Sequence, residues 1–139
     1  MATFNKFNAF VNDIATKVHN LHADTLKIML TNTAPAATNA IKTDITEIGA
    51  GNGYAAGGTQ ATLVADGQTS GTYKLVLSQP TYTASGGSFG PFRYAVLYNA
   101  TAASGNLIGW WDYGTTVSVT NGNSFQVQLD QTNGILELA

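Results

Sequence analysis

Cysteine is absent from this chain of 139 residues. The protein therefore has no disulfide and no thiolate nucleophile, and zinc or iron–sulfur sites built on cysteine are excluded. Stability must come from a buried core instead, and a chain of this length can bury a sizeable one within a single domain. We expect one domain over residues 1–139.

Charge is also scarce, since only 10% of the residues are charged where about 25% is usual. The six basic residues are scattered singly and the net charge is −2, so the chain lacks the basic patch that nucleic-acid binding needs. A net charge near zero also does little to oppose self-association. This balance is typical of a subunit of an assembly, and equally of many secreted binding modules.

No stretch approaches the ~20 consecutive apolar residues of a membrane-spanning helix. The N-terminal residues lack a basic segment followed by an unbroken apolar run, so they do not form a signal peptide. We therefore expect synthesis in a cytoplasm and no membrane partner.

Apolar residues recur at helical spacing near the N-terminus. Their spacing alternates between three and four residues, and the stripe consists of Phe4, Phe7, Val11, Ile14, Val18 and Leu21, widened by Phe10. This period predicts an amphipathic helix over about 4–21, with Thr3 as its N-cap. Packing on the chain's own core is favoured, because amphipathic helices ordinarily face it. Packing on a neighbouring subunit is the alternative.

From about residue 25 onward, short alternating segments are separated by turn signals. They predict strands over 24–32, 60–65, 71–78, 80–84, 92–99, 106–113, 115–120, 124–130 and 135–139. Asp66-Gly67 and Asn121-Gly122 mark two of the turns, and the glycine-rich run 49–58 reads as a flexible surface loop. The predicted class is mainly β: a jelly-roll-like antiparallel β-sandwich of about eight to nine strands with one N-terminal amphipathic helix.

The strands 92–99 and 106–113 form the expected central hairpin. With Asn99 opposite Asn106, the ladder pairs Arg93–Asp112, Ala95–Trp110, Leu97–Ile108, Phe92–Tyr113, Tyr94–Trp111 and Tyr98–Leu107. Such aromatic and opposite-charge pairs contribute roughly 0.2–1 kcal/mol each. Large aromatic residues here favour a sandwich core over a ligand platform, and Trp111 is predicted to be buried.

The sequence contains little that indicates catalysis. His19 and His22 could share a helix face and ligate a metal, but no carboxylate stands at zinc-motif spacing, so no metal site or other cofactor is expected. The segment 130–134 lacks the further acidic ligands of a calcium loop and is predicted to be a turn. The glycine-rich run lacks the P-loop lysine, and no serine lies in a nucleophile elbow. We therefore expect no catalytic residues and no enzymatic activity.

Several passages taken together carry a family resemblance: LKIMLTNTAPAATNA, ITEIGAGNGYAAGG, GPFRYAVLYN, LIGWWDYG and the C-terminal NGILELA. In wording and order they resemble a group of small tailed-bacteriophage proteins that are generally encoded among the virion structural genes. The resemblance implies a β-sandwich virion component of the capsid decoration, or cement, type. Many copies of such a protein, often as trimers, sit on the capsid exterior and bridge neighbouring major capsid subunits.

The expected partners are therefore the major capsid protein and further copies of the chain. The resemblance supplies no residue-level motif, so the candidate interface residues are aromatic side chains chosen from the chain itself: Phe4, Phe7, Phe10, Tyr54 and Trp110. A tail or head-fibre component is the nearest alternative. A carbohydrate-binding module that uses Trp110, Trp111 and Tyr113 is the alternative from another class.

Overall fold

Ten strands and one helix make up the fold in the computed structural model, which describes residues 1–139. In chain order they are β1 (Phe4–Lys6), α1 (Asn8–Ala15), β2 (Leu26–Thr31), β3 (Thr59–Gln60), β4 (Leu63–Thr69), β5 (Thr72–Leu77), β6 (Thr81–Thr83), β7 (Phe89–Asn99), β8 (Leu107–Val119), β9 (Ser124–Gln126) and β10 (Leu136–Leu138). The predicted class, a mainly-β antiparallel sandwich with one helix near the N-terminus, is confirmed. No helix has the length and apolarity needed to cross a membrane.

The sandwich has a large sheet on one side and two small ones on the other. The large sheet has five strands in the order β1-β8-β7-β2-β3, and the small sheets have the orders β10-β5-β4 and β6-β9. Strand alternation sends Leu26, Ile28 and Leu30 of β2 into the core between the layers, while Met29 faces the outer side. The large sheet therefore has buried residues on both of its faces.

Three register shifts distinguish the observed β7–β8 ladder from the predicted one. Tyr98 lies opposite Leu107 as expected, but Leu97 pairs with Gly109, which leaves Ile108 as the extra residue of a β-bulge. The pairs from Leu97 to Tyr94 are displaced by one position, and a further shift places Phe92 opposite Val117. The predicted direct pairings are therefore wrong for Leu97–Ile108, Ala95–Trp110, Tyr94–Trp111, Arg93–Asp112 and Phe92–Tyr113.

The bulge decides which tryptophan is inside. Trp111 lies opposite Ala95 and faces the core, where it is 3% exposed, whereas Trp110 lies opposite Val96 on the outer face and is half-buried. The predicted burial of Trp111 is confirmed. The predicted contact between Arg93 and Asp112 is also confirmed, although Tyr94 is the residue directly opposite Asp112. The register shift between Phe92 and Tyr94 interrupts the strand alternation at Arg93.

The predicted helix over 4–21 is wrong at both ends. The first part is strand β1, in which Phe4 pairs with Trp111 and Lys6 with Gly109. The helix ends at Ala15, and Lys17 has a φ of 67°, a left-handed conformation that stops a helix. Phe10 of α1 lies in the main core, so the helix packs on its own chain.

The predicted turn at Asp66-Gly67 is also wrong. Strand β4 runs through both residues, and the reversal comes at Ser70-Gly71, where φ is 52° and 83°. These are the two positive φ values that a type I′ hairpin turn requires. The turn predicted at 130–134 is present, and it is of the Asx type, with the Asp130 carboxylate accepting hydrogen bonds from the backbone N–H groups of Thr132 and Asn133.

We predict that Gly109→Ala destabilises the protein by about 1–3 kcal/mol, the usual cost of overpacking. A Cβ atom at this position would stand 2.2 Å from the Phe4 ring and 2.7 Å from the backbone oxygen of Asn5, so β1 would have to move. Urea unfolding measures the change. Gly49→Ala is the matched control, because a Cβ there meets nothing within 4 Å, and equal stability of the two variants would contradict the prediction.

We predict that Trp111→Ala lowers the free energy of unfolding by roughly 3–5 kcal/mol, as deletion of a large buried side chain does. The indole is packed against Phe4, with ring centroids 5.3 Å apart. The same unfolding experiment with Trp110→Ala should give a smaller loss, since that ring is only half-buried. A loss below about 1 kcal/mol for Trp111→Ala would mean that this side chain is not part of the core.

Candidate interaction surface

Three of the five predicted interface residues are inside the protein. Phe7, Phe10 and Tyr54 are 0%, 1% and 2% exposed, so they are excluded as contacts for a partner of the folded chain. Phe4 and Trp110 keep partial exposure. They lie apart, because Phe4 packs on the inward-facing Trp111 while Trp110 packs on Phe7 on the outer face.

The outer face of the large sheet is partly closed by the chain itself. The segment 36–48 runs across it, and its ends are fixed by hydrogen bonds from Asn8 N–H to the Ala37 carbonyl (2.9 Å) and from Ile48 N–H to the Leu30 carbonyl (3.0 Å). Beneath this segment lies a second apolar cluster of Phe7, Met29, Val96, Tyr98 and Leu107. Trp110 stands at the margin of that cluster.

Beyond this margin the sheet presents what we call the outer-face patch: Trp110, Tyr94, Arg93 and Asp112. Arg93 Nε donates to Asp112 Oδ1 at 2.7 Å and Nη2 donates to Oδ2 at 3.0 Å. The guanidinium carbon lies 5.4 Å from the centre of the Tyr94 ring. Tyr94 is the residue directly opposite Asp112 in the ladder, so the bulged register brings these side chains together.

The ion pair of the outer-face patch is half-open to solvent, since both of its side chains are 39% exposed. The Arg93 hydrogen bonds lower the pKa of Asp112, and Asp112 raises the pKa of Arg93. An exposed pair of this kind contributes little to stability. Arginine, tyrosine and tryptophan side chains, such as Arg93, Tyr94 and Trp110 of this patch, are instead enriched at protein interfaces.

The sequence predicted the Arg93–Asp112 contact only as a register marker and missed Tyr94 as a surface residue. One feature of the sequence could have indicated this patch: Arg93 is the only arginine of the chain and lies among aromatic residues in the hairpin.

A buried polar cluster joins the end of α1 to the tip of the β7–β8 hairpin. The fully buried Asn99 has its Nδ2 atom 2.6 Å from the Asp24 carboxylate and 3.1 Å from His19 Nδ1. Its Oδ1 atom accepts hydrogen bonds from the N–H groups of Thr101 and Ala102. Every polar atom of the Asn99 side chain is thus used in holding the hairpin loop.

The two histidines bond to different partners, although both line one groove of about 430 Å³. His19 lies in the buried cluster with Nε2 3.9 Å from the Asp13 carboxylate. His22 is exposed, with Nδ1 3.0 Å from Asp66, whose carboxylate also accepts a hydrogen bond from the Tyr73 hydroxyl. No group of three His, Asp or Glu side chains is arranged to hold a metal ion.

The glycine-rich run is fixed to the sheet rather than loose. Tyr54 donates its hydroxyl proton to Glu47 Oε1 at 2.6 Å and accepts a hydrogen bond from the Leu30 N–H at 3.0 Å. Desolvation by burial and the bond to Glu47 raise the pKa of Tyr54. A Cβ on Gly58 would lie 1.9 Å from the Ile28 carbonyl oxygen, so glycine is required for this close approach. Tyr54 is therefore an internal anchor.

No protein-family model matches the chain, and no curated protein or solved structure matches it either.

We predict that the protein loses stability as the pH falls below about 6.5, the unperturbed value for histidine. Burial lowers the pKa of His19, although Asp13 and Asp24 act in the opposite direction. The unfolded chain then binds a proton more readily than the folded chain, so the contribution of His19 is present above pH 6.5 and is lost as the pH falls toward the folded pKa. The slope from one such group is at most about 1.4 kcal/mol per pH unit.

Urea unfolding between pH 7.5 and pH 5 measures this loss, and NMR of His22→Gln reports the His19 ring directly because the chain has only two histidines. Titration of that single imidazole above pH 6.5 would contradict the prediction.

Proposed function

We propose that this protein is a virion structural component of a tailed bacteriophage, of the decoration or cement type. In this role it binds the exterior of the capsid lattice and bridges neighbouring major capsid subunits. The observation that carries the proposal is the outer-face patch, where Trp110, Tyr94 and the Arg93–Asp112 pair remain accessible beside a face that the chain otherwise closes. The resemblance of the sequence passages to virion proteins supplies the class of partner.

The patch has the composition of a binding centre. Tryptophan, tyrosine and arginine dominate the energetically important positions of protein interfaces, because each combines a large contact area with a polar group. Trp110 rests on Phe7 with ring centroids 4.6 Å apart, so its orientation is fixed before a partner arrives. A fixed side chain loses little conformational entropy on binding.

The weak charge of the chain suits a repeated contact. With 10% charged residues and a net charge of −2, copies on a lattice repel one another little. Modest contacts made many times on one particle can exceed a single affinity by ~10²–10⁴. Binding to an ordered lattice therefore does not require a strong individual site.

The proposal includes no catalysis. The polar clusters around Asn99, Tyr54 and Asp66 direct their hydrogen bonds to other parts of the fold. These contacts connect separate segments of the chain and so stabilise the fold.

A tail or head-fibre component is a second candidate with the same kind of contact. It would place copies in rings or fibres, and electron microscopy of labelled virions distinguishes this arrangement from an icosahedral lattice.

A carbohydrate-binding module is a candidate from another class, and the half-exposed Trp110 ring beside Tyr94 is the observation that favours it. The wider platform that includes Trp111 is excluded by the burial of that side chain. A glycan array tests this candidate, since saturable binding that is lost in Trp110→Ala would support it.

We predict that Trp110→Ala weakens binding to empty capsids by tenfold or more, about the 1.4 kcal/mol or greater loss expected of an interface anchor. Co-sedimentation with capsids measures the affinity, and circular dichroism checks that the variant is folded. Val11→Ala is the control, because Val11 is an exposed apolar residue on α1, outside the patch and outside the sheets. Undiminished binding of Trp110→Ala, or no binding by the native chain, would refute this role for the patch.

A further inference from the structure

Strand β4 is the longest strand edge that the fold leaves without a partner. It pairs with β5 on one side only, whereas the other edge strands β1, β3, β6, β9 and β10 have two or three residues each. Natural proteins block such edges with proline, with lysine or with bulges. β4 has neither proline nor lysine, and its one charged residue, Asp66, is bonded to His22 and Tyr73 of its own chain. Its bulge between Leu63 and Ala65 leaves the ladder from Ala65 to Thr69 regular.

The turn that ends β4 determines which of its backbone groups point outward. A two-residue turn at Ser70-Gly71 makes Thr69 and Thr72 a hydrogen-bonded pair. Pairs alternate along an antiparallel ladder, so Gly67 also directs its N–H and C=O groups to β5. Asp66 and Gln68 direct theirs away from β5, toward the open edge.

A second copy of β4 can satisfy these outward groups in an antiparallel register. When the two strands are centred on Gly67, Asp66 of each copy lies opposite Gln68 of the other, and these are the two residues whose backbone groups point outward. Gly67 then faces Gly67 in the close, non-hydrogen-bonded position, about 4.5 Å between Cα atoms. It has no side chain to clash, and the space where a Cβ would point is open for 4 Å.

The charges of β4 also favour this register. Asp66 is the only charged residue between Leu63 and Thr69. Centring the pair on Asp66 would set two carboxylates against each other, which is unfavourable, whereas centring it on Gly67 sets each carboxylate against a neutral amide. The strand is therefore complementary to itself in a register that satisfies both its hydrogen bonds and its charge.

We propose that two copies of this chain associate through β4, antiparallel across a two-fold axis at Gly67, and join their three-stranded sheets into one sheet of six strands. The association belongs to the isolated chain and needs no capsid, so it is independent of the proposed function. It yields a dimer, in contrast to the trimer that the resemblance implies. A contact of a few residues per strand is small, so we expect a weak dimer that forms with rising concentration.

Sedimentation velocity over a concentration series tests the proposal, with substitutions at Gln68 as the probe. Gln68→Glu keeps an acceptor for the Gly71 N–H, which Gln68 Oε1 now receives at 2.9 Å, and it places a second carboxylate opposite Asp66. Because symmetry creates this like-charge pair twice, the dimer dissociation constant should rise about 2- to 30-fold. Gln68→Lys places an ammonium opposite Asp66 and should strengthen the dimer.

Gln60→Glu is the matched control, since it makes the same change on β3 at the edge of the five-stranded sheet. It should leave the dimer unchanged. Added salt should reduce the difference between the two Gln68 variants. The proposal is overturned if the native chain stays monomeric up to about 1 mM, where binding would be weaker than any useful affinity. It is equally overturned by a trimer, or by equal effects of Gln68→Glu and Gln60→Glu.

Discussion

The extra residue in β8 determines how the two faces of the large sheet are used. Because Ile108 has no partner in β7, the ladder beyond it turns Trp111 into the core and Trp110 outward. A regular ladder would leave the predicted pairs in place and would set Trp110 opposite Ala95. β1 then depends on the same position, since Phe4 lies against the side of Gly109 that carries no side chain. The bulge thus connects the N-terminal strand, the core and the outer-face patch.

Hydrogen bonds from uncharged side chains, more than ion pairs, hold the long connections of this sandwich. Tyr54 and Tyr98 hold the glycine-rich run through Glu47 and the Gly57 carbonyl, and Asn99 holds the hairpin loop. Buried polar groups of this kind specify one arrangement, because any alternative would leave a donor or acceptor unpaired at a cost of about 1–3 kcal/mol. A chain with few charges can therefore have well-defined loops while its surface stays nearly neutral.

The sequence was sufficient for the features that depend on alternation and on opposite charge. It predicted the sandwich class, the opposite orientation of Trp110 and Trp111 and the contact of Arg93 with Asp112. It could not reveal the bulge, because Trp110 and Trp111 are adjacent. An alternating strand can turn either of them toward the core, and the pattern does not show which. The prediction of a helix over 4–21 was wrong for a related reason. Phe4, Phe7 and Phe10 fit a helical period, but Phe4 lies in edge strand β1, Phe7 in the outer cluster and Phe10 in the main core. The spacing of apolar residues indicates that they are buried, but it does not show which of the two apolar clusters each residue joins.

The outer-face patch and the edge of β4 belong to different sheets, and this separation bears on how an assembly could form. A dimer paired through β4 would keep both of its patches accessible, since neither Trp110 nor Tyr94 lies on the three-stranded sheet. Two linked patches bind a repeating surface with a high effective concentration for the second contact, provided that the spacing of the partner sites matches the dimer. A weak dimer and a weak patch would then reinforce each other only on an ordered surface. Free in solution the chain would remain largely monomeric, because the contact of a few residues per strand is small.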